Sequence, residues 1–80
     1  MTPSALLRDT LRIYHMSRSE LSRRSDLSPW TIRQLVAGKK PITPEIALCL
    51  ERVLGVRAEV WLEVQWRYEL EMARGPHENE

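Results

Sequence analysis

Hydrophobic positions along this chain recur at three- and four-residue intervals and almost never alternate, so the pattern predicts helices throughout. Thr2-Pro3 pairs a capping hydroxyl with a proline suited to the first helical position. It opens a first helix over Ser4 to Tyr14, in which Leu6, Leu7, Leu11 and Tyr14 form the expected buried stripe. After His15-Met16, Ser17 caps a second helix, with Glu20 three residues later as the other half of a capping box and Leu21 pointing inward. The break falls at Ser25-Asp26-Leu27, where a tight turn between helices calls for a positive φ that Asp26 tolerates at modest cost. Ser28-Pro29 starts a third helix, Pro29 to Ala37, closed by Gly38 as a C′ glycine. Thr43-Pro44 gives the same start signal again, with Glu45 adding favourable charge in the first turn. Ile46, Ala47, Leu50, Val53 and Leu54 make the buried stripe of that fourth helix, and Gly55 ends it.

The fifth helix, about Ala58 to Arg74 and stopped by Gly75-Pro76, breaks the pattern. Val60, Trp61, Leu62, Val64, Trp66, Tyr68, Leu70 and Met72 lie almost all round it, so more than one face asks for cover. Trp61, Leu62 and Gln65 are expected to close the core. Val64, Trp66, Tyr68 and Leu70 are then left partly bare, to be covered by a second chain or by packing within the monomer.

Eighty residues make one domain with a small core, here 4–74, and a polar tail at 75–80 that includes His77 to Glu80. Hydrophobic residues at 42 % and charged residues at 29 % argue against wholesale disorder, and three glycines with scarce alternation argue for an all-α class. No apolar run approaches the ~20 residues of a membrane span, and no secretory leader precedes the first helix. Cys49 is the only cysteine, so no internal disulfide forms and a cytoplasmic location is expected; the thiol lies near the buried stripe and packs as a small hydrophobe. His15 and His77 stand alone without paired carboxylates, so no catalytic residues, metal ligands or cofactor are expected.

Net charge is only +1, but its distribution is uneven. Residues 1–40 carry eight basic and three acidic side chains, a net of +5, whereas residues 41–80 carry a net of −4. A polyanion on the side of the first half is the partner this implies. The second and third helices sit in that half, in the layout of a helix-turn-helix whose second helix reads double-stranded DNA. Ser28, Pro29, Trp30, Arg33 and Gln34 are the candidate base contacts. Gln34 suits adenine, and Arg33 suits guanine or a phosphate. Pro29 contributes only apolar contact, and Trp30 either meets a thymine methyl or a sugar or packs back on the protein. Arg18, Arg23, Lys39 and Lys40 are the phosphate candidates, which position without specifying. Arg8 and Arg12, one turn apart on the first helix, either reach a phosphate or stay solvated.

Leu21, Leu27, Ser28, Thr31-Ile32, Leu35, Gly38-Lys39 and Leu54-Gly55 stand at the spacing of the Xre/lambda-repressor-like helix-turn-helix family, which the chain resembles over about residues 4–56. It departs at Ser22, usually Ala, at Asp26, usually Gly, and at Arg18, often Gln. A narrower resemblance spans nearly the whole chain. Thr2-Pro3, Leu7-Arg8, the run Pro41 to Leu48, Leu50-Glu51, Leu54-Gly55-Val56, Trp61-Leu62, Gln65 and Tyr68 look like HigA-type antitoxins. That resemblance implies a bacterial or phage-encoded five-helix domain that binds a palindromic operator as a homodimer and represses its own operon. It also implies a partner toxin of the mRNA-cleaving kind. A phage or restriction-control regulator of the same fold, without a toxin, is the alternative; the peptidase-bearing regulators with a similar N-terminal part fit less well, since no HExxH motif is present.

Overall fold

The computed structural model describes residues 1–75, so the expected tail beyond Gly75 lies outside the described residues. Five helices follow in order: α1 (Pro3–Ile13), α2 (Arg18–Ser25), α3 (Pro29–Val36), α4 (Pro44–Leu54) and α5 (Ala58–Arg74). There is no strand among the described residues. The start signals act as the sequence predicts. The hydroxyls of Thr2, Ser17, Ser28 and Thr43 each accept from a backbone N–H three residues on, and three of these caps precede a proline. Helix α5 is built differently. Arg57 at its N-cap makes no side-chain cap bond; instead Glu51 of α4 accepts from the Ala58 N–H at 3.1 Å. A carboxylate at a helix N-terminus also meets the positive end of the dipole, so α4 fixes where α5 begins.

The core draws on every helix. Leu7 and Leu11 of α1, Leu21 of α2, Ile32, Leu35 and Val36 of α3, Ile46, Ala47, Leu50 and Leu54 of α4, and Ala58 and Trp61 of α5 are all buried. Ile42, in the loop between α3 and α4, joins them at 4 % exposure. Its N–H donates to the Gln65 carboxamide at 2.9 Å, so one loop residue is both an apolar plug and a tether to α5.

Three positions differ from the expected stripes. Tyr14 is exposed, and Leu6 and Val53 are only half-buried. On α1 the buried line is Pro3, Leu7, Thr10 and Leu11, at steps of four, three and one. Thr10 replaces Tyr14 at little cost because its hydroxyl donates to the Leu6 carbonyl at 2.7 Å, so no polar group is stranded. Tyr14 is the C-cap residue, one place beyond the helix, and the chain turns away at His15, whose φ is 53°. That left-handed turn lets the Met16 N–H bond the Leu11 carbonyl at 2.9 Å, which gives His15 a conformational task. Helix α1 also ends on Ile13 and α3 on Val36, each one residue earlier than the periodicity suggests.

Candidate nucleic-acid interface

Helices α2 and α3 pack against each other, with α1 and α4 supporting them from behind. The turn between them rests on Asp26, which takes the left-handed conformation at φ 65°, as the sequence predicts for that position. Side chains flanking it fix the turn. The Ser22 hydroxyl donates to the Leu27 carbonyl at 2.6 Å, and the fully buried Ser25 hydroxyl accepts from the Leu27 N–H at 3.2 Å. From α4, Arg52 donates to the Ser25 carbonyl at 3.1 Å and lies 3.6 Å from the Asp26 carboxylate. Ser22 in place of alanine and Asp26 in place of glycine are therefore not losses: the polar atoms they bring are used in the turn.

At the other end of α3, Gly38 has φ 75°, the left-handed conformation that favours glycine, and a Cβ there would be in ordinary contact with the Ser4 hydroxyl at 3.4 Å. Arg8, offered by the sequence as a phosphate ligand or a solvated residue, has another role. Its guanidinium donates to the Val36 carbonyl at 2.9 Å and so caps the C-terminal end of α3, where a cation is favoured. Arg12 pairs with Asp9 at 3.1 Å on its own helix. The role of Arg8 depends on which helix lies alongside, whereas the Arg12–Asp9 pair is a three-residue contact within α1.

Ile32, Leu35 and Val36 bury one face of α3. The opposite face carries Pro29, Trp30, Arg33 and Ala37 exposed, with Gln34 half-buried on its edge. Trp30 is 57 % exposed, so it does not pack back on the protein. Ser28 is exposed, but its hydroxyl is engaged twice: it accepts from the Thr31 N–H at 3.0 Å and donates to the Thr31 hydroxyl at 2.9 Å. Around this face the cations differ in freedom. Arg23 and Arg24 reach Glu20 at 3.4 and 3.8 Å, whereas Arg18, Arg33, Lys39 and Lys40 have no carboxylate partner among the described residues. Arg18, Ser19, Pro29, Ile32 and Arg33 line a hollow of about 160 Å³. It sits where the first turns of α2 and α3 meet, so two guanidinium-bearing side chains flank a space with room for a phosphate.

Helix α5 carries the other candidate surface. Trp61 is fully buried and Gln65 is 8 % exposed, and beyond Gln65 no side chain of the helix is buried. Trp66 is 60 % exposed, while Val64, Tyr68 and Leu70 are half-buried. Helical spacing separates these four into two edges, Val64 with Tyr68 and Trp66 with Leu70, about half a turn apart. Tyr68 also lines a hollow of about 320 Å³ together with Gln65, Lys39, Lys40 and the first residues of α1. The four therefore do not make one flat patch: the Tyr68 edge turns toward the domain, and the Trp66 edge turns away from it.

An all-helical domain whose second and third helices form a capped, tightly turned pair with a basic outer face is a helix-turn-helix domain. Residues 7–61 match that family, and the chain belongs to it, in the class of DNA-binding transcriptional regulators. It is similar to the HTH-type transcriptional regulator YddM of Escherichia coli (strain K12), at 32 % identity over 79 % of this chain and 67 % of that one. The Pseudomonas aeruginosa antitoxin HigA, solved with the higBA promoter, superposes with a TM-score of 0.85. It is 28 % identical over 91 % of this chain and 80 % of that one. An addiction-module antidote protein of the HigA family from Coxiella burnetii gives 0.82 at 26 % identity, over the same shares. Resemblance to HigA-type antitoxins thus extends from residue spacing to the fold, including α5, which continues past the matched region.

Proposed function

We propose that this chain is an autoregulating repressor and the antitoxin of a HigB/HigA-type pair. It would bind a palindromic operator as a homodimer and neutralise an mRNA-cleaving toxin. The observation that carries this reading is the exposed face of α3, a rigid, capped reading helix amid unpaired cations, on a backbone that superposes on an antitoxin solved with its promoter.

In this reading α3 lies in the major groove. Arg33 and Gln34 meet base edges, Gln34 bidentate to adenine and Arg33 to guanine or a phosphate, each good pair worth ~1–3 kcal/mol of discrimination. Pro29 and Trp30 add apolar contact, and Ser28 sits beside them with its hydroxyl held in the cap. Arg18 and Arg33 would seat a backbone phosphate between the two helix N-termini, where the amide dipoles also favour an anion. Arg23, Lys39 and Lys40 extend the backbone contact on either side. The outward edge of α5, Trp66 with Leu70, supports pairing with a second copy or with the toxin, and Val64 with Tyr68 would be reached by a partner that wraps the helix.

Footprinting on the duplex upstream of the chain's own coding region tests the repressor reading. Two protected half-sites about one helical turn apart are expected, held at least ~10³-fold tighter than random DNA at the same salt. Equal affinity for both duplexes would end it. Co-expression with the adjacent open reading frame tests the antitoxin reading: a complex that survives purification and relieves growth arrest supports it, and growth arrest that this chain does not relieve excludes it.

A further inference from the structure

We propose that the first turn of α3 reads a thymine through its 5-methyl group, and that Trp30 is the side chain that reads it. This rests on the reading above, in which α3 enters the major groove, the only groove that displays the thymine methyl.

The first turn of α3 has little hydrogen bonding to offer a base beyond the indole N–H of Trp30 itself. The Ser28 hydroxyl accepts from one group of Thr31 and donates to another, so its proton and one of its two lone pairs are used. Thr31 is half-buried, and its hydroxyl already accepts from Ser28. Pro29 has no N–H and presents ring methylenes to solvent. What remains is the indole of Trp30, more than half exposed on the same face as Arg33 and Gln34. The basic hollow beside Pro29 fixes this end of the helix against the backbone if a phosphate enters it. The wide ring then lies over base edges, where its apolar faces can meet a methyl group whatever its edge N–H donates to. Of the four bases only thymine presents an apolar group there. The cytosine N4 amino group in the same place would lose its water without gaining an acceptor.

The test uses a 20-bp duplex selected by the full chain from a random library, with each thymine replaced singly by deoxyuridine. That exchange deletes the methyl and leaves the hydrogen-bonding edge intact. One position per half-site should weaken binding about fourfold, the usual effect of a buried methyl. Trp30→Ala and Trp30→Gln should each bring the thymine-to-uracil ratio at that position to about one, leaving other positions unchanged. Both variants alter an exposed side chain, and helix content by circular dichroism confirms that they fold. If no replacement changes affinity by twofold, or if the ratio persists in both variants, the proposal is overturned while DNA reading by α3 stands. If the library yields no preferred duplex, the repressor reading fails together with it.

Discussion

Two tryptophans are exposed to nearly the same degree on two different helices, Trp30 at 57 % on α3 and Trp66 at 60 % on α5. What separates them is their surroundings. Trp30 has Arg33 on its own face, and Arg33 and Arg18 flank the hollow beside Pro29 without carboxylate partners among the described residues. Trp66 shares its helix with Glu59, Glu63, Glu69 and Glu71, and its neighbour Arg67 is paired to Glu63 at 3.0 Å. An indole in a basic field suits a polyanion with apolar edges, whereas an indole in an acidic field repels a polyanion and suits a protein. Equal exposure therefore points to different partners, and the sign of the field decides which.

The third tryptophan supplies the control. Trp61 is fully buried and donates its indole N–H to the Val56 carbonyl at 3.1 Å, so Trp61→Ala leaves a cavity and an unmatched carbonyl. A loss of about 3–5 kcal/mol in denaturant unfolding is expected, the largest effect of any change named here. Truncating Trp30 or Trp66 should leave the same measurement within about 0.5 kcal/mol, as for exposed positions generally. A large loss at either would show that exposure had been misjudged.

Next in size is the effect of charge placed on the outer edge of α5. Trp66→Asp should weaken self-association at least about tenfold in sedimentation, the usual scale for an aromatic anchor. A single half-site should still bind normally. Self-association unchanged by this substitution would remove α5 from the dimer, and a monomer at tens of micromolar in the parent chain would exclude constitutive pairing.

Smaller changes sharpen the α3 side. Ser28→Ala removes the cap of the reading helix and should cost about 1 kcal/mol of stability by thermal unfolding. Lys39→Ala should weaken specific and random DNA alike and lower the slope of log affinity against log salt by about one unit. A sequence-dependent loss there would move Lys39 from the backbone to a base.

Much of this organisation is legible in the chain itself. Five helices, the hydroxyl-proline starts of three of them, the glycine stops and the strained Asp26 turn follow from local chemistry, which acts within four residues. The outward face of α3 is equally readable, since helical periodicity assigns it once Ile32, Leu35 and Val36 are given to the core. What escaped involves partners far apart in sequence. Arg8 caps α3 across 28 residues, Arg52 pins the α2–α3 turn across 27, and Gln65 tethers Ile42 across 23. Each looks like an ordinary surface or loop residue until the fold puts a carbonyl or an N–H beside it. Tyr14 leaves the expected stripe for the opposite reason: periodicity extends one residue past the end of α1, just before the backbone turns left-handed at His15. The division of the α5 surface into two edges was present in the spacing but became meaningful only once Tyr68 was seen to face the domain.

The central claim is that α3 reads sequence through its outer face, and Gln34→Ala tests it most directly. Affinity should be measured for the selected duplex and for every single base-pair mismatch within it, at one fixed salt concentration. A reading helix predicts that the mismatch penalty collapses from ~1–3 kcal/mol to near zero at one position per half-site, while penalties elsewhere persist. A mismatch profile identical to that of the parent chain would show that the sequence is read by another part of the molecule.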